Sequence, residues 1–134
     1  MEVMTSNIIT LVAHTSVIFC VFWNKDEHVA SSVPPDSENE EILQQLDASL
    51  TVNLTLSIVL IAIETFFTLR HIPSKVMGTI TLVCHALACL FLLKVVVDVH
   101  PVSHLWMLTS LSSGVPVTLH LASFALSFNK NRFC

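Results

Sequence analysis

LTVNLTLSIVLIAIETFFTL, residues 50–69, holds a single ionisable side chain, Glu64, in twenty positions. A bilayer hydrocarbon core about 30 Å thick is crossed by roughly 20 such residues in an α-helix. Three further stretches have the same character: residues 5–23, 76–97 and 104–128. Together the four cover 86 of the 134 residues and leave one substantial loop, 24–49, with short ends and connections. No soluble catalytic domain fits in that remainder. The expected fold is therefore an all-α membrane protein, a single four-transmembrane-helix bundle over residues 1–134 with an acidic outer loop between helices 1 and 2.

Composition points the same way. The chain is 53% hydrophobic and 12% charged, whereas a soluble domain averages roughly 25% charged residues. Its mean hydropathy is +0.74. A disordered chain, a nucleic-acid binder and a secreted disulfide scaffold are excluded, and too little polar surface is present to cover a water-soluble monomer. The first apolar stretch is not read as a signal peptide, which wants a basic start and a small-residue cleavage site. Here Glu2 precedes the run and Phe22-Trp23-Asn24-Lys25 ends it.

Orientation follows Lys and Arg rather than net charge. With four spans, both termini and the second loop share one side, which carries Arg70, Lys75, Lys130 and Arg132. The other side carries Lys25 and Lys94. The bias places both termini in the cytoplasm. Trp23 and Trp106 then fall at the outer interface, where aromatic belts sit.

The outer loop accounts for most of the formal charge of −4, with Asp26, Glu27, Asp36, Glu38, Glu40, Glu41 and Asp47 against Lys25. Pro34-Pro35 breaks any helix, and Ser37 with Glu40 makes an S-x-x-E capping box. Ile42, Leu43, Leu46 and Leu50 follow at helical spacing. A short amphipathic helix is expected, lying on the outer surface and running into the second span. The loop is either a solvated connector, the favoured reading for a charge block, or a docking surface. Asn53-Leu54-Thr55 spells a glycosylation sequon, but it sits too close to the bilayer for modification.

Each span carries one deep ionisable residue: His14, Glu64, His85 and His120. Such residues are rare at bilayer depth and mark functional hypotheses. Counted from the cytoplasmic end of each span, they lie roughly 8–14 Å deep at about 1.5 Å per residue, so the four are expected in one intramembrane polar layer. Three chemistries compete. The favoured one is interhelical hydrogen bonding, worth about 0.6–2 kcal/mol per contact. A transition metal suits His and carboxylate, but no H-x-x-x-H pair occurs within a span. A proton or ion path is the third, with one acid to support it. A lone carboxylate in lipid is costly, so Glu64→Gly is expected to damage packing and assembly.

In the fourth span Ser110, Gly114, Thr118 and Ala122 recur every four residues, a small-residue stripe that admits a close helix neighbour. That neighbour is expected in the same bundle first, and in another protein second. Pro116, beside the stripe, is expected to kink the helix. Cys20, Cys84 and Cys89 lie within spans and read as small hydrophobes. Cys134, beside Lys130 and Arg132, is a candidate for lipidation by palmitate. No nucleophile–base pairing, phosphate loop, CxxC motif or internal repeat is present. No catalytic, cofactor-binding or metal-ligating residue is assigned.

The order of these features has a counterpart. Leu11-Val12-Ala13-His14 and Phe22-Trp23-Asn24-Lys25-Asp26 lead into an acidic loop. Ala62-Ile63-Glu64 follows in span two, His85 among small residues in span three, and Pro116 past the midpoint of span four. Over nearly its whole length the chain resembles the transmembrane protein 107 family, small four-span proteins of the ciliary transition zone. The resemblance implies a non-enzymatic component of the Meckel-syndrome module at the base of the cilium. Its partners would be other membrane and membrane-associated proteins of that zone and the lipid bilayer, with no nucleic acid, cofactor or small-molecule substrate. It would help gate ciliary membrane protein composition and support cilium formation. One departure stands out: the family pattern has an acid four residues after the span-four proline, where this chain has His120. A hydrogen-bonding role survives that change better than an ion site needing two carboxylates. The alternative function is a small ion-coupled or metal-binding transporter that uses the Glu–His layer.

Overall fold

Long runs of Leu, Ile, Val, Ala and Phe without Gly or Pro favour uninterrupted helix, and helices dominate the computed structural model, which describes residues 2–33, 40–70 and 74–130. The helices are α1 (Glu2–Trp23), α2 (Lys25–Ala30), α3 (Glu40–Arg70), α4 (Lys75–Asp98), α5 (Val102–Thr109) and α6 (Val115–Lys130). A π-helical turn, Ser110–Gly114, joins α5 to α6. No strand occurs among the described residues. Pro34-Pro35, Ser37 of the capping box, Arg132 and Cys134 lie outside them.

Three helices are long and apolar enough to cross a membrane: α1 from Val3, α3 and α4. Only 28–33% of their most apolar windows is buried within the protein. The outward faces carry Ile9, Phe19, Val83, Leu90 and Phe91, all exposed. So much contiguous apolar surface is untenable in water and suits lipid. The chain is a multi-pass, all-helical membrane protein.

Two boundaries differ from the expectation. The fourth stretch, expected as one span over 104–128, is helical from Val102 to Lys130 but is divided by the π turn. Proline lacks an N–H and crowds the carbonyl four residues back, which for Pro116 is Ser112, inside the turn. Pro116 itself is the second residue of α6, directly after that turn. The local irregularity at this proline is therefore the π turn that precedes it. The second difference lies in the loop 24–49: the helix expected to run into the second span is present as the first turns of α3 itself, Glu40 to Ser49, and α2 precedes it. At 31 residues α3 rises about 46 Å, well beyond a 30 Å hydrocarbon core, so its start continues the span beyond the bilayer. Leu43 and Leu46 pack on the core, and Lys25 Nζ reaches Asp47 Oδ1 at 2.8 Å.

The helices alternate in direction. α1 lies against α3 and α4, while α5 and α6 lie against α3, and the π turn and α6 against α4. Consecutive α3 and α4 thus face each other across the bundle. One end, the loop end, gathers α2, the start of α3 and residues 98–106. The other, the terminal end, carries the start of α1, Arg70 and Lys75. The apolar core fills the loop-end half with Ile18, Val21, Leu50, Leu54, Leu92 and Leu105. At the loop end Val99 takes a left-handed φ of 48° and turns the chain towards His100 and Pro101.

Candidate functional site

The polar layer is assembled on the bundle axis. His14 of α1, Glu64 of α3, His85 of α4 and His120 of α6 are all buried, Glu64 and His85 completely. His85 is the hub. Its Nε2 lies 2.8 Å from Glu64 Oε2, and its Nδ1 lies 2.7 Å from His14 Nδ1. Two nitrogens at that distance need one proton between them. With Nε2–H of His85 donating to a Glu64 carboxylate, a neutral His85 ring accepts from His14 Nδ1–H. With a protonated Glu64 donating to Nε2, His85 Nδ1–H donates to His14 instead. Either arrangement satisfies both contacts and links three helices in one chain.

His120 stands at the edge of this chain. Its Nε2 is 3.9 Å from Glu64 Oε1, beyond hydrogen-bond distance. Its ring stacks on Phe67, with centroids 6.3 Å apart and planes at 15°. Glu64 Oε1 and His120 Nε2 are both buried without a hydrogen-bond partner. Among the described residues no group of three or more His, Cys, Asp and Glu side chains is arranged to hold a metal ion.

The small-residue stripe lies elsewhere. Ser110, Gly114 and Thr118 line an open groove on the outside of the bundle, with Leu56 and Leu60 of α3 along its other wall. Among the described residues no helix closes over it: a Cβ added at Gly114 meets nothing within 4 Å. The stripe therefore faces outward, not into the bundle where a neighbour was first expected. Ser110 Oγ donates to Trp106 O at 2.9 Å and Thr118 Oγ1 to Val115 O at 2.8 Å. Their hydroxyls are satisfied within the helix and present little polarity to a neighbour. Ala122 is exposed. Cys20 is exposed, and Cys84 and Cys89 are partly covered free thiols.

Sequence reasoning missed a second polar layer, nearer the loop end. Thr109 Oγ1 donates to Asn53 Oδ1 at 3.1 Å and lies 2.9 Å from Ser57 Oγ. Ser112 and Ser113 of the π turn are buried, with hydroxyls that have no partner. The signal was Asn53 and Ser57, four apart on one helix face, against Thr109, Ser112 and Ser113. Asn53, the sequon residue, is completely buried, which closes it to glycosylation. His28 was also missed: it is buried in α2, its Nδ1 3.1 Å from His100 O, and its own carbonyl accepts from Ser31 and Ser32. Ser32 Oγ in turn accepts from Val102 N–H at 3.0 Å. These contacts fasten α2 to the start of α5.

Compared with known proteins, the chain matches the sequence pattern of transmembrane protein 107, described as a transmembrane protein, over residues 3–124. The chain belongs to the transmembrane protein 107 family. Transmembrane protein 107 of Danio rerio is 26% identical over 115 residues, covering 84% of each chain. Transmembrane protein 107 of Xenopus laevis is 23% identical over 129 residues, covering 95% of this chain and 91% of the relative. No solved structure matches. The transmembrane protein 107 pattern thus takes in α1 from Val3, α3 and α4 in full, and α6 through Phe124, beyond His120 and the stripe.

Proposed function

We propose that this protein is a non-enzymatic membrane scaffold of the ciliary transition zone. It helps assemble the Meckel-syndrome module at the base of the cilium, gates ciliary membrane protein composition and supports cilium formation. Both termini face the cytoplasm. Membership of the transmembrane protein 107 family supports the assignment, and Arg70 and Lys75 at the terminal end support the orientation.

The observation that carries the scaffold reading is the uncovered stripe. In lipid, helices associate through close packing and a few polar contacts rather than by a hydrophobic drive. A groove of Ser110, Gly114 and Thr118 beside Leu56 and Leu60 offers close approach to a helix of another protein. A Cβ at Gly114 meets open space, so Gly114→Leu should insert and fold normally while weakening recruitment of partner membrane proteins. A tag at the native locus in ciliated cells should give a narrow band at the ciliary base. A diffuse reticular or plasma-membrane signal would defeat the ciliary assignment, and unchanged partner recruitment by Gly114→Leu would defeat the stripe as an interface.

The transporter alternative gains less support. The hydrogen-bonded chain from His14 through His85 to Glu64 runs across the bundle, from α1 to α3, and not along the axis between the two faces. Single His→Gln changes separate the readings, because a scaffold tolerates most of them and a proton path does not.

A further inference from the structure

A groove of about 440 Å³ lies between the loop-end half of α4 and the helical run that starts with α5. Its lining is graded along the bundle axis. Lys94, His100 and His104 stand at the loop end, and Phe91, Met107 and Leu111 lie deeper. The gradient follows from opposite helix directions: α4 rises towards the loop end through Phe91 and then Lys94, while α5 descends from His104 through Met107 and the π turn continues to Leu111. The deep residues are exposed on the protein surface, where lipid chains lie. Lys94 is one turn from the end of α4, about 6 Å below it, at the level where a lysine snorkels to the headgroups. It has no hydrogen-bond or ion-pair partner among the described residues. The rings of His100 and His104 lie 5.4 Å apart, and the nearest acid, Asp98, sits 3.9 Å from His100 Nε2.

We propose that this groove binds one anionic phospholipid in preference to the zwitterionic lipid around it, with its phosphate held by Lys94, His100 and His104 and one acyl chain laid along Phe91, Met107 and Leu111. Charge complementarity selects an anion at the polar end, and the apolar floor requires that the anion carry a hydrocarbon chain. The volume falls in the range of small-molecule sites, about 300–1,000 Å³. An α-helix about 10 Å across and 5.4 Å per turn would fill roughly 420 Å³ in a single turn, so the groove suits a lipid chain and not a length of partner helix.

The test uses the full chain in phosphatidylcholine nanodiscs containing a phosphatidylglycerol with a photoactivatable group on its acyl chain. Crosslinks, located by peptide mass spectrometry, should concentrate on Phe91, Met107 and Leu111. Unlabelled phosphatidylglycerol should compete, whereas inorganic phosphate should not. The surface double variant Lys94→Gln/His104→Gln should reduce crosslinking at least tenfold, the effect of losing a hydrogen bond to a charged group. Leu111→Trp, which fills the groove and leaves the polar end intact, should reduce it as well. A diacylglycerol probe that lacks the phosphate should label weakly. Even labelling of all lipid-facing positions, equal labelling by diacylglycerol, displacement by inorganic phosphate, or unchanged labelling in the variants would each overturn the proposal.

Discussion

Replacing Glu64 by Leu asks whether the axial layer holds the bundle together. The carboxylate is completely buried and meets His85 Nε2 at 2.8 Å. Two terms add. An interhelical hydrogen bond in a membrane is worth about 0.6–2 kcal/mol, because separated helices find other partners within the bilayer. Leu also strands His85 Nε2 in a site with no exposed surface, which costs about 1–3 kcal/mol more. The expected loss is about 2–5 kcal/mol. Glu64→Gln keeps an oxygen that accepts from His85 and should cost about 1 kcal/mol or less. His85→Leu loses both of its contacts and strands Glu64 and His14. The double variant Glu64→Leu/His85→Leu strands His14 alone, so it should cost less than the sum of the singles by about 1–3 kcal/mol. Equilibrium unfolding in mixed micelles, followed by circular dichroism, reads each value. Additivity within about 0.5 kcal/mol, or a Glu64→Leu protein as stable as wild type, would refute the reasoning.

Val99→Gly should raise stability by about 1 kcal/mol in that unfolding assay, because a β-branched residue at a left-handed φ costs about 1–2 kcal/mol; an unstabilised variant would count against strain there. Expressed where sequons are modified, the protein should show no glycosidase-sensitive mass, and a shift abolished by Asn53→Gln would contradict the burial of Asn53. The Lys25 ammonium is held above the usual lysine value of 10.5, first by its hydrogen bond to Asp47, then by the charges of Asp47 and Asp26, with desolvation opposing. A raised pKa means that the stabilising contact is complete below pH 10.5 and is lost only as pH climbs through the higher folded value. The stability that Lys25→Met removes should therefore be constant from neutral pH to 10.5 and shrink above that point, whereas a difference that shrinks near neutrality would argue against the pair.

Hydropathy alone made α1, α3 and α4 legible, because a lipid solvent imposes length and apolarity on any crossing helix. Depth arithmetic brought His14, Glu64, His85 and His120 to one level, and side chains one level deep on four packed helices meet on the axis. What the arithmetic lacked was azimuth. It gave no reason for His85 to become the hub or for His120 to turn towards Phe67, since those choices come from packing between helices. The outward direction of the stripe was hidden for the same reason: spacing by four defines a face but not what the face looks at. The Asn53–Ser57–Thr109 layer was obscured by small hydroxyls, which raise hydropathy cost very little and bond to their own helix as readily as to a neighbour. The extension of α3 beyond the bilayer was readable in Glu40 to Ser49, which contain no Gly or Pro. The spacing of Ile42, Leu43, Leu46 and Leu50 pointed to a helix running into the span, but not to the packing of Leu43 and Leu46 on the core, which makes it one piece with α3.

The two polar layers explain how so apolar a bundle keeps one arrangement. Leu and Ile gain little by leaving lipid for a protein neighbour, so the apolar core alone does not distinguish one helix rotation from another. The layer of His14, His85 and Glu64 ties α1 to α4 and α4 to α3. The layer of Asn53, Ser57 and Thr109 ties α3 to α5, and through the π turn to α6. Each long helical run is thus fastened by at least one hydrogen bond to another. A slip of one residue rotates a helix by about 100° and carries an imidazole, a carboxylate or an amide towards hydrocarbon, where an unpaired polar group costs several kcal/mol. That penalty fixes the rotation of every helix, and with it the outward direction of Ser110, Gly114 and Thr118. Damage to the buried layers should therefore disturb the outer groove without touching it, while Gly114→Leu should disturb the groove and leave the layers intact.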